Sequence, residues 1–501
     1  MRQKNILWYG SVPSPGVIER LAMRGFHIIE NPAIHALVDA LLGMTWAVVF
    51  DHSRNSGESP EPAYVHLPTF IDHGLLVIVV ADRTLWGNLR TKCLHPIDAE
   101  FPWDDVLRFI PDWRGIHFDN IVSLTPPAKW QSFTVTVDEH DEGLAEDERR
   151  LVHRSFPKAE EVVFREIRKG FSGSRVFMAY EKRRKDETSI SHWTQPRLVK
   201  IGDRASMAVE VAAMRDVSPF VPYELRPNLE MHIEGFRKGL FVADFVDRSE
   251  SMLEAARAGR ADAALSNLFN RTLQRWRERG QQCQRSDESF ADAAERLGIV
   301  APDSILAEYT ESEPGERAGV DVQKTWALLR EIRFKHRVAT IHGDLHGENV
   351  RVRGDDAILI DFGSVKGDDK VGSGAPLCFD VAMLEVALVF TYIVGEEDTS
   401  FPQARWRADV EAWYQLDVIA KALDAPAAAR DGGWLVGCLQ RIRAFGIYEQ
   451  SNGREYALAL AVAMLRMCKY PSRSTAEKGR RVFGLLAAVN IISGVHAKLD
   501  R

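Results

Sequence analysis

The chain has 501 residues, more than one ordinary domain holds, so two or three domains are expected. Its composition, 45% hydrophobic and 27% charged, supports sizeable buried cores, and a net charge of −7 argues against a nucleic-acid-binding surface. The five cysteines, Cys93, Cys283, Cys378, Cys438 and Cys468, contain no Cys-x-x-Cys pair and point to neither a zinc site nor a disulfide framework. No apolar run reaches the length of a membrane span and no signal core precedes the first strand, so a cytoplasmic protein with no membrane partner is expected.

The first segment alternates apolar runs with amphipathic stretches. Strands are predicted at Ile6–Tyr9, Phe26–Ile29, Trp46–Phe50, Leu75–Val80 and Val106–Ile110, with helices at Pro15–Arg24 and Ile34–Leu42. Continuous runs such as Trp46–Phe50 suit strands buried on both faces of a parallel sheet, which predicts a doubly wound α/β domain over residues 1–120. The segment resembles the receiver domain of two-component response regulators, a flavodoxin-like fold, with Asp51 where that family keeps its phosphoacceptor. The turn after the first strand, Gly10-Ser11-Val12-Pro13, lacks the acidic residues with which receivers hold Mg²⁺, so the resemblance implies a degenerate module that accepts no phosphate.

Residues 121–150, with Pro126-Pro127 and the acidic run Asp138–Glu142, read as a linker containing one strand at Phe133–Val137; Leu144–Phe156 reads as a helix. Strands Val162–Ile167 and Arg175–Tyr180 then flank Gly170-Phe171-Ser172-Gly173-Ser174. Glycine in such a hairpin lets backbone N–H groups come close to phosphate oxygens. Glu181–Thr188 reads as an exposed loop. The strand Arg197–Ile201 places Lys200 between Val199 and Ile201, where a lysine is costly unless paired, and the helix Ala205–Arg215 offers Glu210. After the apolar strand Gly239–Val246, residues to about 338 read as mostly helical, including Met252–Ala258, Ala261–Arg279, Phe290–Leu297 and Val322–Arg337.

The most informative stretch is Thr340–Gly363, TIHGDLHGENVRVRGDDAILIDFG. A polar loop leads into a hairpin turned at Gly354-Asp355-Asp356, which brings Asn349 and Asp361 to one end with Asp344 just upstream. A carboxylate to orient an attacking hydroxyl and oxygen ligands to hold Mg²⁺ against phosphates are what phosphoryl transfer requires. A helix over Cys378–Val389 carries Asp380 and Glu385, and the rest of the chain, through Ala476–Leu499, is apolar-patterned helix.

The stretch resembles the catalytic segment of aminoglycoside phosphotransferases and choline kinases, relatives of protein kinases. GFSGSRVF (Gly170–Phe177), LVKI (Leu198–Ile201), HGDLHGENV (His342–Val350) and LIDFG (Leu359–Gly363) are most similar to a bacterial kinase-like group, the ternary complex associated domain. The resemblance spans roughly residues 150–400 and implies an α+β bilobal kinase-like fold, with an N-lobe over 151–248 and a mainly helical C-lobe over 249–501. It further implies ATP and Mg²⁺ as cofactors and Asp344 as catalytic base, with His342 organising its loop. Asn349 and Asp361 would be metal ligands, and Gly170, Phe171, Ser172, Gly173 and Ser174 the nucleotide-covering loop. Lys200 would hold the phosphates and Glu210 would hold Lys200, in the nucleotide cleft; Gly239–Val246 would be the adenine-binding hinge, and Asp380 a buttress of the catalytic loop.

The function expected is ATP-dependent phosphotransfer to a hydroxyl of a small-molecule or protein acceptor, in bacterial signalling or conflict response, with a protein partner at the N-terminal domain. One alternative is an antibiotic or metabolite kinase, for which an acidic pocket would indicate an aminoglycoside and an aromatic box choline. The other is a nucleotide-binding pseudokinase scaffold.

Overall fold

The N-terminal apolar runs form a parallel sheet. The computed structural model describes residues 4–498 apart from 12, 34–38, 54–59, 90–105, 114, 125–129, 139–140, 168–172, 184–190, 284, 312–319, 368–373, 392–402 and 421–432. Strands β1 (Lys4–Gly10), β2 (Phe26–Glu30), β3 (Thr45–Asp51), β4 (Leu76–Val80) and β5 (Leu107–Ile110) pair in the order β2-β1-β3-β4-β5, all parallel. Side chains alternate across a strand, and here both faces are covered. Leu7, Tyr9, Val48, Phe50, Val77 and Val79 enter one core, while Ile6, Trp8, Ala47, Val49, Ile78 and Val80 enter the other. This is the doubly wound α/β arrangement that the continuous apolar runs predict. At the carboxyl end of β3 the Asp51 carboxylate is buried and accepts from the Ser53 N–H at 2.8 Å, a turn-capping bond. Gly10 has φ +100°, and a Cβ there would lie 2.3 Å from the Asp51 carbonyl oxygen, so the turn after β1 admits only glycine.

The second sheet holds β6 (Thr134–Val137), β7 (Ala159–Ile167), β8 (Arg175–Arg183), β9 (His192–Trp193), β10 (Arg197–Asp203), β11 (Leu229–Glu234) and β12 (Lys238–Asp244). Its order is β11-β12-β10-β8-β7-β6, with β9 beside β8; only β6 and β7 run parallel. Phe164, Phe177, Val199, Ile201, Leu240 and Val242 build its core under the helix Glu146–Ser155, which adds Leu151 and Val152. Residues 121–150 therefore carry ordered elements: β6 is an edge strand of this sheet. Glu181, expected in an exposed loop, is fully buried at the end of β8, where Arg183 and Arg197 neutralise it at 2.5 and 2.7 Å. The strand runs on because those two guanidiniums remove the cost of burying its carboxylate.

Both sheets belong to one compact unit, Met1–Ala212 with Asn228–Phe245. A buried polar knot joins them. Arg154 Nη1 donates to the carbonyls of Ile71, Asp72 and Glu234 at 3.1, 3.2 and 3.1 Å. The Phe236 N–H donates to Asp72 Oδ1 at 2.8 Å, and the Phe236 ring, from the turn between β11 and β12, enters the core of the parallel sheet.

The second unit comprises Ala213–Pro227 and Val246–Arg501. It is mostly helical, with short strands β13 (Glu250–Ser251), β14 (Arg285–Ser286), β15 (His336–Ala339), β16 (Val350–Arg353), β17 (Asp356–Leu359) and β18 (Ala375–Pro376). The helix predicted over Val322–Arg337 ends at Glu331. Ile332 is extended, and β15 instead pairs with β14 and β18, because Arg337 and Val338 find ladder partners there. Among the described residues no helix is long and apolar enough to cross a membrane.

Burial pushes the Asp72 carboxyl up from 3.8 to about 6, against the pull of the Phe236 N–H and of Arg150 and Arg154. A carboxyl raised in the folded state binds a proton on folding. Its favourable contribution is complete below the unfolded value and is lost as pH rises through about 6. Urea unfolding of the full chain between pH 4 and 7 is expected to show stability falling with pH across this window, and Asp72→Asn should flatten that slope. An unchanged slope in the variant would assign the titration to another group.

Candidate functional site

The loop from Ile341 to Asn349 is held by backbone contacts at both ends. Ile341 and Lys366 exchange backbone hydrogen bonds of 2.8 and 3.0 Å, and the Ile360 N–H donates to the Asn349 carbonyl at 3.0 Å, continuing the β16–β17 ladder. Between them the chain turns at Gly343, φ +75°, where a Cβ would lie 2.2 Å from the Ser364 carbonyl oxygen. The turn leaves the N–H groups of His342 and Gly343 facing the interior, and Asp380 accepts both, at 2.7 Å on Oδ2 and 2.9 Å on Oδ1. Burial pushes the Asp380 carboxyl up, while the His342 charge and the two N–H donors work against it. His342 is itself fully buried and donates from Nε2 to the Ile360 carbonyl at 3.0 Å, tying the loop to the end of β17.

Asp344 follows immediately. Arg466 Nη2 lies 2.7 Å from its Oδ1 and His346 Nε2 3.7 Å from its Oδ2. Burial would raise this carboxyl, but His346, Arg466 and His342 outweigh it and hold it well below the usual carboxylate range. Such a carboxylate is a weak base that can orient a hydroxyl. Asn349 Nδ2 donates to the Asp344 carbonyl at 3.0 Å, which fixes the amide plane. Asp361 stands two residues beyond β17, exposed, with φ +60°. Left-handed backbone is uncommon outside glycine, and aspartate is among the residues that tolerate it. An amide oxygen and a carboxylate on adjoining ends of one hairpin are hard donors suited to Mg²⁺, which ordinarily takes one or two side chains and completes its shell with phosphate and water oxygens.

In the other unit, side-chain alternation along β10 sends Val199 and Ile201 into the core and Lys200 to the opposite face. Lys200 Nζ meets Glu210 on the helix Arg204–Val217 at 3.0 Å to Oε1 and 2.8 Å to Oε2, with both side chains less than a tenth exposed. The partner that an apolar strand demands for its lysine is present. Of the glycine-rich segment, Gly170, Phe171 and Ser172 lie outside the described residues. Gly173 has φ +70°, and the Ser174 hydroxyl packs over Gly202 of β10, where a Cβ would lie 2.5 Å from it.

The structure thus brings His342, Asp344, Asn349 and Asp361 together and pairs Lys200 with Glu210. Arg466 is absent from the sequence reading. It lies 122 residues from Asp344, and nothing in the local pattern of the helix Glu455–Met467 marks it. A surface cavity of about 520 Å³, bordered by Arg257, Asp262, Trp434 and Cys438, involves none of these residues.

Comparison of the sequence with known protein families and with curated proteins gives no match. Among solved structures the chain is similar to an aminoglycoside-3'-phosphotransferase of type VIII, at 17% identity and TM-score 0.30, over 56% of this chain and 93% of that one. It is also similar to a putative fructosamine-3-kinase from Haemophilus somnus 129PT, at 12% identity and TM-score 0.28, over 65% of this chain and 90% of that one.

Replacing Asp380 by asparagine puts an amide N–H against one of the two loop N–H groups and leaves that donor without an acceptor. Asp380→Asn is expected to cost about 3 kcal/mol of unfolding free energy. The shift in urea midpoint at constant slope measures this, and an unshifted midpoint would mean that the loop holds its turn without the carboxylate.

Proposed function

We propose that the chain is an ATP- and Mg²⁺-dependent phosphotransferase acting on a hydroxyl acceptor, in bacterial signalling or conflict response. The observation that carries this reading is the loop in which Asp380 grips the backbone of His342 and Gly343 and so presents Asp344 beside Asn349 and the left-handed Asp361. Asp344 orients the acceptor hydroxyl and takes its proton. A carboxylate held far below neutrality is a weak base, which suits a loose transition state in which the proton leaves late. Asn349 and Asp361 hold the metal, which when bound supplies charge neutralisation at the phosphates. Lys200, aligned by Glu210, binds the nucleotide phosphates, and the segment Gly170–Ser174 covers them. The receiver-like N-terminal domain serves as sensor or protein-docking surface, without phosphate transfer to Asp51.

One feature favours a second reading. Arg466 neutralises the carboxylate that would act on the acceptor, as a nucleotide-binding scaffold could tolerate. Two substitutions separate enzyme from scaffold. Asp361→Asn is expected to lower Mg²⁺-dependent nucleotide affinity and turnover together. Asp344→Asn should bind Mg²⁺-ATP almost normally yet lose about a hundredfold or more in turnover. Calorimetric titration of both variants, with γ-labelled ATP to follow transfer, decides the matter: wild-type turnover in Asp344→Asn would remove Asp344 from the transfer step, and no transfer by the wild type to any acceptor supports the scaffold.

A further inference from the structure

Near Asp344 in the second unit stand three cations, Arg466, Lys366 and Lys469, together with two further carboxylates, Asp361 and Asp380. Arg466 lies on its Oδ1 and His346 near its Oδ2. Lys366 is bonded through its backbone to Ile341, and its side-chain stem runs over Gly343, with Cγ 2.8 Å from where a Cβ would stand. Lys469, three residues beyond Arg466, directs Nζ to a neutral acceptor, the Gly298 carbonyl, at 3.2 Å. Burial, then the charges of Lys469 and Arg466, lower the Lys366 ammonium pKa, so these cations are close enough to repel one another. Arg466 is matched by Asp344, Asp380 is engaged by the two loop N–H groups and Asp361 is assigned to the metal, so that Lys366 and Lys469 are the charges left over among the described residues. Asp368 and Asp369, which follow in the chain, lie outside the described residues.

A cationic acceptor would have to approach Asp344 past these groups, toward a carboxylate whose charge Arg466 already offsets. That is the wrong field for an aminoglycoside or for choline, and the right one for a negatively charged molecule. We propose that the acceptor is an anionic hydroxyl compound, a phosphorylated or carboxylated sugar or polyol, whose negative group is received by Lys366 and Lys469 while its hydroxyl meets Asp344. This rests on the phosphotransferase reading. In the transfer the acceptor oxygen bonds to the γ-phosphorus, the bond from that phosphorus to the bridging oxygen breaks, ADP leaves with the electron pair, and the hydroxyl proton passes to Asp344 and then to water.

The test has a binding arm and a transfer arm, both on the full chain. Without nucleotide, acetic anhydride labelling is followed by peptide mass analysis against increasing sulfate, with exposed Lys158 as the internal control. Sulfate should protect Lys366 and Lys469 but not Lys158, and in Lys469→Gln the concentration that half-protects Lys366 should rise about fivefold. The transfer arm supplies Mg²⁺-ATP with glucose 6-phosphate, glucuronate, glucose or glucosamine. Either anion should be used better than glucose and glucose better than glucosamine, and the order of the two anions distinguishes a phosphate from a carboxylate. Absence of sulfate protection, or a preference for glucose or glucosamine, overturns the anionic assignment while leaving phosphotransfer intact. Sulfate protection with no transfer to any acceptor overturns phosphotransfer and leaves an anion site.

Discussion

The second unit depends on one carboxylate. Asp380 accepts the N–H groups of His342 and Gly343, two donors that a turn through Gly343 leaves without partners in their own loop. An unpaired buried N–H costs about 1–3 kcal/mol, so the loop and the helix Cys378–Val386 that carries Asp380 must stay in register. That register is set further along the same helix. Glu385, fully buried, accepts Arg443 at 2.8 and 2.9 Å on Oε1 and the Tyr456 hydroxyl at 2.7 Å on Oε2. Removing Arg443 would leave a buried charge uncompensated, and removing the Tyr456 hydroxyl a buried oxygen unpaired, so the arrangement resists slippage. Tyr456 begins the helix that ends near Arg466. One network therefore fixes both the residue that holds the loop and the residue that holds Asp344.

The first unit uses buried charge in the same way. Lys200 can occupy a strand interior because Glu210 meets it with both oxygens. Arg154 is buried, and its guanidinium holds three carbonyls, two at the end of the helix Leu67–Asp72 and one at the end of β11. Burial lowers its pKa to about 10, still far above neutrality, so it remains a cation and a full set of donors. The parallel-sheet domain is thereby joined to the antiparallel sheet through a knot of directional bonds as well as through the Phe236 ring.

The field around Asp344 matters for chemistry as well as for stability. Arg466, His346 and His342 keep it ionised, and they also make it a poorer base than an isolated carboxylate. A group in that state works by position: it holds a hydroxyl at the correct angle and receives a proton that is already leaving.

Much of this was legible in the chain alone, for local reasons. Continuous apolar runs announced the parallel sheet, since only strands covered on both faces dispense with alternation. Lys200 between Val199 and Ile201 required a buried counter-charge, and the next helix supplied one. The spacing of Asp344, Asn349 and Asp361 around a Gly-Asp-Asp turn made their convergence a matter of hairpin geometry. What sequence could not decide lay in long-range pairing. The segment after Glu331 had helical pattern enough, yet became β15 because two other strands were there to pair with it. Glu181 looked solvated because its neighbours are charged, and it is buried because Arg183 on its own strand and Arg197 on the adjoining β10 both meet it. Arg466 had no local signature at all, since a guanidinium that ends a helix acquires its role only when a loop 122 residues away in sequence folds against it. Periodicity and turn chemistry are written into neighbouring residues, whereas the partner of a buried charge is chosen by the packed chain.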